Sequence, residues 1–231
     1  MDNLTHALAG CLAAEVLVSV RRRTRSRAQE PERWATTAYV LSAVANNLPD
    51  LDILYLGITE GKIGYLVHHR GHTHTLVVAA LLGLLSWAMV WAGRHRLARE
   101  ERPWSARDGG DLLLLAVGGT FLHMAMDFTN NYGVHPFWPV DRRWFYGDTI
   151  FIVEPMLWAS VAPVLFFSVS HRAARVLFGS LSVLGVVATW ASGFVAWPLA
   201  IGVTGWTALV GAAAAGARPG RRVVVALAAC V

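Results

Sequence analysis

Charge is scarce in this chain. Asp, Glu, Lys and Arg make up 15% of its 231 residues, against about 25% in ordinary soluble domains. Apolar residues make up 55%, and they fall in blocks rather than at a steady period. That combination excludes a conventional soluble domain. Cysteine is nearly absent: Cys11 and Cys230 are the only two, and both sit in apolar segments. They supply neither a disulfide framework nor a Cys-type zinc site, and both read as small buried apolar residues. The first apolar segment lacks a basic start, since its arginines follow it. It therefore reads as a retained helix and not as a signal peptide. There is no internal repeat and no long disordered linker.

What the chain does have is a series of apolar blocks, at 4–20, 34–56, 73–93, 111–129, 150–170, 176–197 and 199–217. A helix needs roughly 20 apolar residues to span a bilayer, so each block is a candidate span. An eighth starts at Val223 and stops at Val231. So short a block, at about 1.5 Å per residue, does not cross a hydrocarbon core of about 30 Å, and it reads as a truncated helix. The expected fold is all-α, a polytopic membrane helix bundle with about seven complete transmembrane helices and a truncated eighth. Blocks six and seven carry no His, Asp, Glu, Lys or Arg. Their small residues suit close helix packing, and they read as scaffold or lipid-facing helices.

A pI near 9.8 invites a nucleic-acid partner, but the placement of the charges argues for no nucleic acid. Of 20 Lys and Arg, 16 fall in the loops 21–33, 94–107, 171–175 and 218–222, which alternate along the chain. This is the positive-inside pattern. With those loops in the cytoplasm, the loops 57–72 and 130–148 lie outside. The polar residues of five segments then meet at one extracytoplasmic face: His6, Asp50 with Asp52, His72 with His74, His123 with Asp127, and Glu154. His and carboxylate are costly in hydrocarbon, so such a cluster marks a functional site by default.

Imidazole and carboxylate are the ligand chemistry of zinc and related divalent ions. His123 and Asp127 are four residues apart, which places both on one helix face. The same spacing suits a hydrogen-bonded pair that stabilises a bundle. Asp50 and Asp52 follow Pro49 at a helix end, where two carboxylates oppose the helix dipole and call for a compensating cation. A solvated helix terminus is the plainer reading. In the run from His68 to His74, Arg70 is suited to binding carboxylate or phosphate. Glu154 precedes Pro155 and reads as a ligand, a partner behind a ligand, or a first-turn acid on the helix dipole.

These residues fall in an ordered set: Asn3-Leu4-Thr5-His6-Ala7, Pro49-Asp50-Leu51-Asp52, His69-Arg70-Gly71-His72-Thr73-His74, and His123-Met124-Ala125-Met126-Asp127-Phe128-Thr129 running on to Tyr132-Gly133 and Pro139. The set resembles the YdjM-like family of bacterial inner-membrane proteins, described as LexA-binding, membrane-bound, metal-dependent hydrolases. The likeness covers roughly residues 1–160, which implies a metal-site membrane domain there and additional helices packed on it over 161–231. His6, Asp50, Asp52, His69, His74, His123 and Asp127 match the family's polar positions, and the resemblance implies that they hold metal. The stretch Phe151 to Pro155 is similar to a family stretch that more often has Asp before Pro. Glu154 keeps the carboxylate and lengthens its reach.

The resulting expectation is a multi-pass protein of the cytoplasmic (inner) membrane with its site facing outward. It would be a hydrolase using zinc or a similar divalent ion, in one or more copies. Bound water on such a metal has its pKa lowered to about 7. Asp52 is the expected bridge between two ions, Arg70 the clamp on a substrate anion, and Glu154 a further catalytic carboxylate. The expected partners are membrane lipid and a small or lipid-linked substrate, a phosphoester above all. Two rivals use the same ligands: a metal-binding membrane transporter, and a non-catalytic membrane protein with a structural metal.

Overall fold

The computed structural model describes residues 1–24, 31, 33–58, 70–97 and 103–230. Its described residues are helical, with one isolated antiparallel bridge between Val134 and Phe145. The chain divides into two compact units. One comprises Met1–Ala14 with Glu30–Ile152, the other Glu15–Gln29 with Val153–Val231, so the division falls inside the first helix.

The first unit holds the start of α1 (Asn3–Thr24), then α2 (Trp34–Ala45), α3 (Leu76–Ala92) and α4 (Ala106–Phe128). Between α2 and α3 come two 3₁₀ segments, Leu48–Ile58 and His72–His74. The apolar run at 34–56 is therefore not one helix. Asn46 and Asn47 end it: the Asn47 amide side chain donates to the Ala43 carbonyl at 2.8 Å, competing with the backbone ladder. Pro49 follows and has no N–H to donate. Helix α4 packs on α3 and α2. Gly83 permits this closeness, since a Cβ there would stand 2.8 Å from the Val117 Cα. The N-terminus of α4 is closed by a capping box, in which Ser105 and Asp108 each accept the other's backbone N–H. The Trp34 indole donates to the Asp108 carbonyl at 3.2 Å and the Trp87 indole to that of Gly109 at 2.8 Å.

The second unit packs α5 (Pro155–Ser168) against α6 (Arg172–Ala191), α7 (Trp197–Gly216) and α8 (Arg222–Ala229). Block five starts as a helix only at Pro155, because the residue before a proline is disfavoured in the α region and Pro itself suits the first helical position. Arg222 donates to the carbonyls of Ala214, at 3.1 Å, and Phe167, which satisfies last-turn acceptors of α7 and α5. Ser160 donates to the Ala229 carbonyl at 3.1 Å and accepts from the Trp206 indole at 2.9 Å.

Among the described residues, four helices are long and apolar enough to cross a membrane: α1, α4, α6 and α7. Helices α2, α3 and α5 are apolar but shorter, at 12, 17 and 14 residues. Most of α6 and α7 is left uncovered, with Val176 61% and Leu209 60% exposed, as an apolar solvent would allow.

Candidate metal centre

The site lies wholly in the first unit. His123 and Asp127 stand one turn apart on the buried face of α4. Asp50 comes from the 3₁₀ segment after α2, and His74 ends the short 3₁₀ turn that leads into α3. Four ligand atoms from these residues lie within 4.8 Å of one another. His74 Nε2 is 3.0 Å from His123 Nε2. Asp50 Oδ1 is 3.4 Å from each of these nitrogens. Asp127 Oδ2 is 3.3 Å from His74 Nε2 and 3.4 Å from His123 Nε2. A tetrahedron with bonds of about 2.0–2.1 Å to zinc has edges of about 3.3–3.4 Å, and the five separations that involve a ring nitrogen, at 3.0–3.4 Å, are close to that size.

The surroundings fix which ring nitrogens can bind. His123 Nδ1 is 2.8 Å from the Asn46 carbonyl. A carbonyl only accepts, so Nδ1 carries the proton and Nε2 keeps its lone pair. His74 Nδ1 is 3.1 Å from Thr73 Oγ1, which itself donates to Asp52 Oδ2 at 3.2 Å. The hydroxyl therefore accepts from His74 Nδ1, and in the neutral ring His74 Nε2 also keeps its lone pair. With both rings neutral, two imidazole lone pairs and two carboxylate oxygens thus converge. Asp127 completes the argument. Its Oδ1 takes Arg70 Nη2 at 2.9 Å, His6 Nε2 at 3.2 Å and the Met1 amine. Its Oδ2, fully buried, has no hydrogen-bond partner among the described residues, and such a group calls for a cation.

The remaining expected residues fall around this set. His6 is buried and stacks on the His123 ring with centroids 3.8 Å apart. It touches Asp127 but stands outside the four donors. Asp52 is adjacent in sequence pattern to Asp50 but differs in place: its Oδ2 accepts the Arg70 backbone N–H at 2.6 Å and lies 3.6 Å from His74 Nδ1. It stands behind His74 and outside the four converging atoms; the expectation for it was a bridge between two ions. Arg70, with φ of 60°, is 3% exposed. Its guanidinium is held by Asp127, by Asn130 Oδ1 at 3.0 Å and by the Gly133 carbonyl at 3.1 Å, and it lies over the Tyr132 ring. Glu154 belongs to the second unit, where it caps α5 by accepting the Met156 N–H at 3.1 Å. His68 and His69 lie outside the described residues.

Sequence reasoning missed Asn46 and Asn130. Asn46 ends α2, orients His123 through its carbonyl, and donates its side-chain amide to the His6 carbonyl at 2.6 Å. Asn130 forms a turn by accepting the Tyr132 and Gly133 N–H groups, and so presents that turn to Arg70. Asparagines that follow an apolar helix are the signal that could have found both. His135 faces Trp144 across 4.6 Å. Burial, with His74 and His72 nearby, lowers its pKa.

A family model described as YdjM inner membrane protein matches residues 1–197. No curated protein and no solved structure matches the chain. The match covers most of the chain and includes every described residue of the site, and the chain belongs to the YdjM inner membrane protein family.

Proposed function

We propose that this protein is a membrane-embedded, metal-dependent hydrolase whose site opens to the extracytoplasmic face and acts on a phosphoester or lipid-linked substrate. The observation that carries the metal reading is the meeting of two imidazole nitrogens and two carboxylate oxygens, each nitrogen 3.0–3.4 Å from the other three atoms. Asp50, His74, His123 and Asp127 would hold zinc or a similar divalent ion. Such an ion supplies Lewis acidity and activates water. The chain's own groups do the rest: Asp52 and Thr73 orient His74, Asn46 orients His123, and Arg70 and His6 fix Asp127. We assign Arg70 as a positioning residue, since both its terminal nitrogens are engaged, Nη1 by Asn130 and Gly133 and Nη2 by Asp127. Asp50 is the ligand nearest to solvent, at 7% exposure, and is the side from which substrate would approach.

Purified protein loaded with zinc is expected to hydrolyse one class among phospholipids, lipid-linked phosphates and simple esters, and to lose this activity in His74→Ala. A second reading rests on a specific feature: four protein donors, all buried, are the full complement of a structural zinc site. Metal-loaded protein that is inert across the whole panel would favour that structural role over catalysis.

The outward face follows from the positive-inside pattern, with all seven apolar segments crossing and α2 continued by the 3₁₀ segment Leu48–Ile58. In a background carrying Cys11→Ala and Cys230→Ala, Asn131→Cys should react with an impermeant thiol reagent on intact cells, and Ser26→Cys should not. The reverse result would put the site on the cytoplasmic face.

A further inference from the structure

A second site lies in the other unit and shares no residue with the metal centre. Helices α7 and α8 are joined by a tight turn, and between them runs a groove of about 700 Å³. Its walls are apolar, with Ala213 on α7 facing Val224 and Ala228 on α8, and the Trp206 indole forms part of the lining. Arg23, from the last turns of α1, and Arg221, from the turn before α8, line it too, and among the described residues no lining residue is acidic. Both arginines are exposed. Trp206 has its N–H turned to Ser160, so it contributes ring surface to the groove and not a hydrogen-bond donor.

An occupant must therefore be amphipathic: an apolar chain to fill the walls and an anion to meet two guanidinium groups. Arginine forks match phosphate oxygens in pairs. Basic pockets between membrane helices are suited to anionic lipid headgroups. The two arginines belong to two of the basic clusters that the charge pattern assigns to one membrane side, the level at which a headgroup resides. We propose that this groove binds an anionic phospholipid, with one acyl chain between α7 and α8 and the headgroup phosphate on Arg23 and Arg221. The site needs no metal and no catalysis, and it is independent of the hydrolase reading.

Native mass spectrometry of the full chain released from nanodiscs of phosphatidylglycerol and phosphatidylcholine tests this. The expected result is retention of phosphatidylglycerol in preference to phosphatidylcholine. Each basic group at an anionic surface contributes about fivefold in affinity, so Arg23→Gln with Arg221→Gln should weaken retention about thirtyfold. Both positions are exposed, so the variant keeps the fold. Ala213→Phe, which fills the groove and leaves both arginines, should also displace the lipid. Equal retention of the two lipids, or unchanged retention in the arginine variant, would overturn the headgroup site. Full retention in Ala213→Phe would overturn the seat in the groove.

Discussion

Protein carrying His123→Ala is expected to bind zinc at least 100-fold more weakly than the parent, and to lose it on desalting. Loss of an outer partner typically costs 10–100-fold in metal affinity, and His123 is placed as a direct donor. Its removal takes one of four ligand atoms and leaves the Asn46 carbonyl without its donor. His74→Ala should behave alike. Thr73→Val makes a graded companion, since it keeps the ligand but removes the hydroxyl between His74 and Asp52; its expected loss is about 10–100-fold. His135→Ala, whose ring rests on Trp144, should retain full metal. Metal content measured against protein concentration decides the matter. If His123→Ala keeps stoichiometric zinc, the cluster is not the site. If the parent takes up no divalent ion at all, the two facing nitrogens share a proton and not a metal.

The second large effect is expected at Arg70. Its guanidinium is buried between Asp127, Asn130 and Gly133, and removing one partner of a buried ion pair costs about 3–5 kcal/mol. Arg70→Ala should therefore lower the unfolding temperature in detergent. It should also weaken metal binding by about tenfold or more, as loss of an outer partner does, because Asp127 loses one of the donors that fix Oδ1. Arg70→Lys keeps the charge but not the fork and should recover only part of both. A clamp on substrate predicts something different: unchanged stability and metal content, with weaker action on anionic substrates alone. That pattern would return Arg70 to the substrate-binding role its sequence context suggests.

Much of the centre was legible because its chemistry is expensive in an apolar chain. His6, Asp50, His74, His123 and Asp127 stand out from their segments by type alone, and the arginine pattern groups them on one face before any contact is known. Distinguishing Asp50 from Asp52 was not legible. The two differ by the path of a 3₁₀ segment, which turns one carboxylate to the ligands and the other to the Arg70 backbone. The orienting roles of Asn46 and Thr73 were hidden for a related reason. One acts through a backbone carbonyl, which every residue possesses, and the other through a hydroxyl that reads as an ordinary helix-entry residue. Hydropathy likewise ran through 34–56 without showing where helix gives way, because a 3₁₀ segment and a helix share the same apolar composition.

The break after Ala45 ties the centre to the bilayer itself. Twelve residues of α2 rise about 18 Å, well short of a hydrocarbon core of about 30 Å. In a membrane the Asn46–Asn47 turn then falls at a depth where irregular backbone survives only if covered by protein or facing a water-filled cavity. Asn46 is covered, while Leu54, farther along the 3₁₀ segment, is 79% exposed. The depth of the cluster would then follow acyl-chain length as well as the polypeptide. Shorter chains bring the turn toward headgroup water, longer ones draw it inward at a cost of a fraction of a kcal/mol per Å. Membrane thickness would then bear on how readily the cluster meets the aqueous phase.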